Sequence, residues 1–228
     1  MAHILDNPVW NALISGNQLL AHGSERVKFF AGDVSPFIGF EDPRAPAFEE
    51  LRALVPAERR LGVMSPEALA VPSQWQVQQR MRVYQMVQEQ PISAPPAAPN
   101  LVPLGPEHVP VMLALTKLMN PGPFFSNTSA FGHYEGIFDG DELVAMAGQR
   151  LHPAPYTEIS AVCTHPEYLG RGYASHLMRY QAHRIRAAGG IPFLHVKTDN
   201  ATAIKVYRAL EFMVRSEMSI CIIQPVPA

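Results

Sequence analysis

The sequence predicts a mixed α/β (α+β) fold whose sheet is mainly antiparallel and ends in a strand–helix–strand unit. Three observations carry this. Residues 133–138 and 142–150 are strand-like and flank Asp139-Gly140-Asp141, a strong hairpin signal. Residues 172–188 have helical spacing and close on Gly189-Gly190, suited to a left-handed C-terminal cap. Residues 157–164 and 191–196 bracket that helix as β-rich runs, so a right-handed crossover makes them a parallel pair.

The remaining elements follow in chain order. Residues 7–21 read as a helix capped by Asn7 with Pro8 at its first position, and Trp10, Leu13, Ile14 and Leu20 along one face. Residues 27–30 and 37–40 read as short strands, and 45–54 as a helix with Phe48, Leu51 and Leu54 inward. Residues 75–89 fit strand alternation and helical spacing equally well. Further on, 100–104 is a short strand, and 107–119 is an amphipathic helix with Val111, Leu115 and Leu118 as core positions, ended by Asn120-Pro121-Gly122. A helix over 201–210 and a last strand over 213–223 complete the chain.

Composition narrows the function. The chain has 228 residues, 47% apolar and 17% charged, with a formal net charge of −2. It can bury a core, and it lacks the basic excess of a nucleic-acid binder that relies on phosphate contacts. No run approaches the roughly 20 apolar residues of a membrane helix, and MAHILDNPVW lacks the basic-then-apolar order of a secretory signal. Cys163 and Cys221 both lie in apolar runs and read as buried free thiols, so a cytoplasmic protein is expected. The nine histidines show no close ligand spacing, so no metal is expected.

Proline is used at roughly twice its ordinary share of about 5%, with 22 residues placed unevenly. Residues 88–106, QEQPISAPPAAPNLVPLGP, have linker composition. They divide the chain into an N-terminal region, 1–98, and a second unit, 99–228. From Glu167 to Gln224 only Pro192 occurs. No short internal repeat is evident. His3 and His22 are isolated and read as surface residues.

The stretch VCTHPEYLGRGYASHLM, 162–178, runs from a strand through a turn into a helix. Gly170-Arg171-Gly172 leaves backbone amides uncovered at a helix N-terminus, which attracts phosphate; a plain glycine-rich turn is the alternative. The Gly-Lys-Ser/Thr ending of a Walker loop is missing, and Ser175 breaks the spacing of a dinucleotide fingerprint.

These residues resemble motif A of the GNAT acetyltransferase superfamily, Arg/Gln-x-x-Gly-x-Gly/Ala. Leu169-Gly170-Arg171-Gly172-Tyr173-Ala174 keeps the glycine and Gly/Ala positions, but the first position is Leu169, where the family usually has Arg or Gln. Asn200, Ala203, Tyr207, Leu210 and Phe212 resemble the family's downstream Asn-x-x-Ala-x-x-x-Tyr-x-x-Leu-Gly-Phe pattern, with Glu211 in the glycine slot. The resemblance covers about 99–228. GHYEGIFDGDELVAMAGQRL resembles the glycine N-acyltransferase branch, in which a degenerate GNAT-like half precedes the active one; residues 1–98 are readable as such a half.

The resemblance implies a GNAT-like sheet with a central splayed parallel pair, 157–164 and 191–196. It implies acetyl-CoA, or another acyl-CoA, as co-substrate. The pantetheine arm would pair with Val162, Cys163 and Thr164, and the pyrophosphate would sit on Gly170, Arg171, Gly172, Tyr173 and Ala174, with Leu169 at the rim and Ser175 in reach. Asn200 would reach the pantetheine arm or cap the following helix. Tyr207 would serve the leaving thiolate as acid, and Glu158 would be the general base, with His133, Glu135 and His165 as rivals; a strand-end carboxylate is the plain alternative for Glu158. Val162 would supply an oxyanion-binding amide. Phe124, Phe125, Phe131, His133 and Tyr134, with the preceding Pro123, would line the acceptor pocket. The expected activity is N-acetyl transfer to a small-molecule primary amine, with protein N-acetylation or a non-catalytic acyl-CoA-binding module as alternatives. A homodimer is compatible with all three; nucleic-acid and membrane partners are not expected.

Overall fold

The computed structural model describes residues 3–90 and 101–227. The expected boundary between 98 and 99, and Asn100 at the start of an expected strand, lie outside them.

A 3-10 turn, Ile4–Asp6, leads into α1 (Pro8–Leu13). The helix is shorter than its spacing predicts because tertiary bonds divert the chain. Ser15 Oγ donates to Asn11 O, Gly16 N donates to His152 O, and Asn17 Oδ1 accepts from His152 N. Asn7 does not cap through its side chain; its Nδ2 donates to Phe40 O. Strands β1 (His22–Gly23), β2 (Val27–Phe29) and β3 (Phe37–Phe40), helix α2 (Phe48–Leu54), and strands β4 (Leu61–Ser65) and β5 (Trp75–Val87) complete the first segment. Strand β4, buried throughout, had no expectation.

The second segment holds β6 (Val102–Pro103), α3 (Val109–Met119), β7 (Glu135–Asp139), β8 (Glu142–Gln149), β9 (Tyr156–Thr164), α4 (Tyr173–Ala187), β10 (Ile191–Lys197), α5 (Ala201–Ala209) and β11 (Met213–Pro225). All its expected elements are present. On α3 the core face is Met112, Leu115 and Thr116, while Leu118 points out; Leu54 of α2 is also exposed.

One sheet contains every strand, in the order β1-β2-β3-β4-β11-β5-β10-β9-β8-β7-β6. Two parallel pairs occur, β3 with β4 across α2 and β9 with β10 across α4. At the centre β5 and β11 pair antiparallel end to end, Met213 opposite Val87 and Pro225 opposite Trp75. Each segment therefore runs strand, helix, parallel strand and then a 13-residue strand. Each long strand lies against the other segment's parallel unit: β11 beside β4, and β5 beside β10. The halves are related by an approximate two-fold through the β5–β11 pair. They differ where the second half has α5, because residues 66–74 form no helix.

Helices α4 and α5 cover one face, where Met178, Ala182, Ile185 and Ile204 pack on Ile159, Leu194 and Val196. Helices α1 and α3 cover the other, where Leu5, Val9, Leu13, Met112 and Leu115 pack with Met146, Cys163 and Phe193.

Strands β9 and β10 pair only from Ile191/Tyr156 to Phe193/Glu158. Beyond that point β10 follows β5, and β9 follows β8, so the two separate into a fork. The fork thus depends on a strand of the first segment. A chain begun at residue 99 leaves β10 and β11 without their common partner. It is expected to show no cooperative thermal transition by circular dichroism, whereas the full chain melts in one step.

Candidate active site

The fork is bordered by a distorted strand. Between Met146/Cys163 and Gly148/Ser160 the β8–β9 register shifts, leaving Ala161 and Val162 opposite the single Ala147. Ala161 takes φ 53°, a left-handed conformation uncommon for a residue with a side chain. No sequence signal marks this bulge. It bends β9 away from β10, and residues 159–164 have no strand partner on their β10 side.

At the open end, residues 165–172 lead into α4, a 15-residue helix. Gly170 (φ 79°) and Gly172 (φ 80°, the N-cap) hold left-handed conformations, and no atom lies within 4 Å of where a Cβ would stand. The loop is therefore both glycine-dependent and open above its backbone. Arg171 lies over the Tyr168 ring at 4.5 Å, and Leu169 is exposed. Tyr173, Ala174 and Ser175 are half-buried in the first turn of α4. Thr164 Oγ1, at the end of β9, is buried without a hydrogen-bond partner. An unsatisfied hydroxyl at the end of the strand that leads to the glycine loop suits a polar arm arriving from that loop.

Tyr207 projects from α5, half-buried, with its ring 6.4 Å from Phe212. Burial, and then the nearby Cys163, push its pKa up to about 12. Such a phenol is a weaker acid than a thiol of pKa about 8.5, so it suits hydrogen-bond donation to a thiolate better than complete proton loss. Burial likewise raises the Cys163 thiol to about 12, which removes it as a nucleophile at neutral pH. Asn200 Oδ1 accepts from Ala203 N at 3.1 Å, so its oxygen caps α5.

Two sets of expected site residues have surroundings that the sequence did not reveal. Glu158 does not have the environment of a general base. Its side chain has no exposure, and its carboxylate accepts from Arg150 Nε (2.8 Å) and a terminal guanidinium nitrogen (2.6 Å), with His195 Nδ1 at 2.7 Å. Burial alone raises its pKa, but Arg150 and then His195 outweigh this and hold the carboxyl far below its ordinary 4.5. An anion so stabilised takes up a proton poorly. The rivals are no better placed. His165 accepts from Glu167 N in the turn, Glu135 is paired to Arg184 at 3.3 Å, and His133 is exposed.

The second set is the aromatic one. Phe131 and Tyr134 are core residues, in edge contact with Phe30 (5.0 Å) and Phe124 (5.7 Å), while Phe125 is exposed at the surface. They pack the face under α1 and α3 rather than lining one open pocket. His133 instead borders a cavity of about 480 Å³ with His152, Tyr156 and Arg184, beside the C-terminal end of α4 and far from the glycine loop.

Among the described residues no group of three His, Cys, Asp or Glu could hold a metal ion, and no helix is long and apolar enough to cross a membrane.

Comparison with known proteins gives a consistent assignment. A family model described as FR47-like protein matches residues 134–220. Over 99% of its length the chain superposes on all of a crystal structure from Novosphingobium aromaticivorans DSM 12444 described as a member of the GNAT family, at 32% identity and a TM-score of 0.89. It is 36% identical over 88 residues to the N-alpha-acetyltransferase RimI of Mycobacterium tuberculosis, covering 37% of this chain and 54% of that relative. It is 34% identical over 79 residues to the mycothiol acetyltransferase of Corynebacterium glutamicum, covering 34% of this chain and 27% of that relative. The chain thus spans about half the length of the first curated relative and about a quarter of the second. It belongs to the GNAT family.

The Arg150–Glu158 pair makes a testable contribution to stability. Glu158→Gln leaves Arg150 buried without its counter-charge and is expected to cost about 3 kcal/mol at pH 7. Because the folded-state pKa of Glu158 is depressed, its contribution is full above about pH 4.5 and lost as pH falls below that. Urea titrations across pH 7 to 3 should therefore give a shallower acid slope for the variant than for the natural protein.

Proposed function

We propose that the protein is an acyl-CoA-dependent N-acetyltransferase that moves acetyl from acetyl-CoA to the primary amine of a small molecule, by direct attack in a ternary complex. The carrying observation is the fork: a strand edge at 159–164 with no partner on one side, ending at an open glycine loop on a helix N-terminus. In this reading the pyrophosphate is held by the amides of Gly170, Arg171, Gly172, Tyr173 and Ala174, with Leu169 at the rim and Ser175 in reach. The pantetheine arm lies along Val162, Cys163 and Thr164 as an added strand, and meets Thr164 Oγ1 and the amide of Asn200. The amine, its ammonium proton already given up to solvent, bonds through nitrogen to the thioester carbon. The C–S bond breaks with its electron pair on sulfur, the proton released from nitrogen as the amide forms passes to solvent, and the thiolate leaves against the Tyr207 hydroxyl. An amide of the Ala161 bulge serves the carbonyl oxygen.

A second reading is α-amino acetylation of a peptide, favoured by the identity to RimI over 88 residues. We further propose that residues 1–98 are a degenerate GNAT-like half, as the resemblance to glycine N-acyltransferases suggests. The approximate two-fold supports this. So does the loss of chemistry: the β3–α2 connection has no glycine loop, and the helix corresponding to α5 is missing. Two buried free cysteines support a cytoplasmic site of action.

The test follows free-thiol release from acetyl-CoA with a panel of small amines and short peptides. Small amines are expected to turn over, and Tyr207→Phe to lower kcat by about 10–100-fold with little change in KM for acetyl-CoA. Gly172→Ala, strained by about 1–2 kcal/mol at its left-handed φ, is expected to raise that KM instead. Turnover confined to peptides favours the second reading. CoA binding without thiol release from any acceptor contradicts both.

A further inference from the structure

The contacts that unsuit Glu158 as a base belong to a larger arrangement. Across the sheet order β8-β9-β10-β5-β11, each strand contributes one polar side chain bonded to the next. Arg150, immediately after β8, holds Glu158 of β9. Glu158 holds His195 of β10, and His195 Nε2 lies 3.0 Å from Gln85 Nε2 on β5. Gln85 Oε1 accepts from Arg215 Nε of β11 at 2.6 Å, and Arg215 ends on Asp6 at 2.5 Å, beside α1. Gln85 also donates to Leu5 O at 2.9 Å.

Charge fixes the direction of every bond. Carboxylates only accept and guanidinium groups only donate. His195 must therefore donate from Nδ1 to Glu158 and accept at Nε2 from the Gln85 amide, whose oxygen faces Arg215. Flipping Gln85 would set its amide against Arg215 and its oxygen against Leu5 O.

The backbone is shaped to allow this. His195 stands opposite Gln85 in the β10–β5 register. Arg215 is the extra residue of a bulge, between Val214 and Ser216. Glu158 and Phe193 are the last register pair before the fork opens, and His195 is two residues further on. The Glu158–His195 bond is thus a diagonal tie across the vertex of the fork, with side chains no more than 3% exposed. Without a tie the vertex could move by a residue in either direction, because a single backbone pair contributes little net free energy. An arm lying between two strands needs them roughly 10 Å apart, twice the ordinary spacing.

We propose that this polar belt, buried at Glu158 and His195, positions the fork for acyl transfer. Glu158 and His195 set where β9 and β10 part, and Gln85 and Arg215 carry the hold into the strand supplied by the first half. These are positioning residues, and the proposal rests on the function proposed above.

The test measures acetyl-CoA affinity by calorimetry, the pH profile of kcat, and amide hydrogen exchange at 156–158 and 193–195. Gln85→Leu and His195→Phe are expected to weaken acetyl-CoA about tenfold, the scale of one charge-assisted bond. Both should speed exchange at the vertex and leave the pH profile in place. Arg215→Lys keeps the charge facing Asp6 but loses the bond to Gln85; it gives a smaller loss in the same direction and serves if the other variants fail to fold. Affinity and exchange within twofold of the natural protein in all folded variants would overturn the proposal. So would Glu158→Gln retaining affinity while losing the acid limb of the pH profile, the mark of a proton acceptor. If the natural protein binds no acetyl-CoA, the proposed function fails, and vertex exchange alone decides whether the belt holds the fork.

Discussion

The site depends on a competition between strand partners. β9 and β10 begin as neighbours, yet each is satisfied on its outer side, β9 by β8 and β10 by β5. A parallel pair with secure outer partners can be parted at its end without exposing a whole strand. The bulge at Ala161 turns that possibility into a permanent opening. Open edge strands attract unwanted pairing, and here the edge faces β10 within the sheet rather than lying at its margin.

The exchanged long strands explain why so much of the chain is needed for one fork. β5 supports β10 directly, and β11, locked to β5 end to end, returns the favour to β4. The second segment therefore cannot close its own sheet in this arrangement. The first half has strands in the same order as the second but neither a glycine loop between β3 and α2 nor a helix between β4 and β5. The polar belt crosses the same junction, and its buried charges are retained where apolar residues of similar size would often be at least as stable.

Much of the second half was legible in the sequence because its signals are local. The Asp-Gly-Asp turn, the paired glycines after α4 and the glycine loop each hold a left-handed glycine, and Asn200 caps α5 through its side chain. What escaped depends on register. Arg150 and Glu158 face each other because the β8–β9 hairpin folds back over residues 151–155, and that pairing was within reach of a register argument. His195 and Gln85 meet only through the strand exchange, which no local pattern encodes. The bulge at Ala161 lacks the glycine that would have announced it. Core packing and pocket lining use the same residue types, so the aromatics at 124–134 do not distinguish the two by sequence, and Leu-Gly-Val-Met-Ser of β4 is too short to separate from a buried loop. The likeness of the two halves lies in strand order rather than in residues, so no sequence repeat reveals it.

A crystal structure with CoA and an amine acceptor bears most directly on this account. It should place the pantetheine arm between residues 159–164 and 194–197, with the pyrophosphate on the amides of 170–174, and with Glu158 still bound by both Arg150 and His195. A structure in which Glu158 has left Arg150 and points at the acyl group, or in which CoA lies outside the fork, would contradict it.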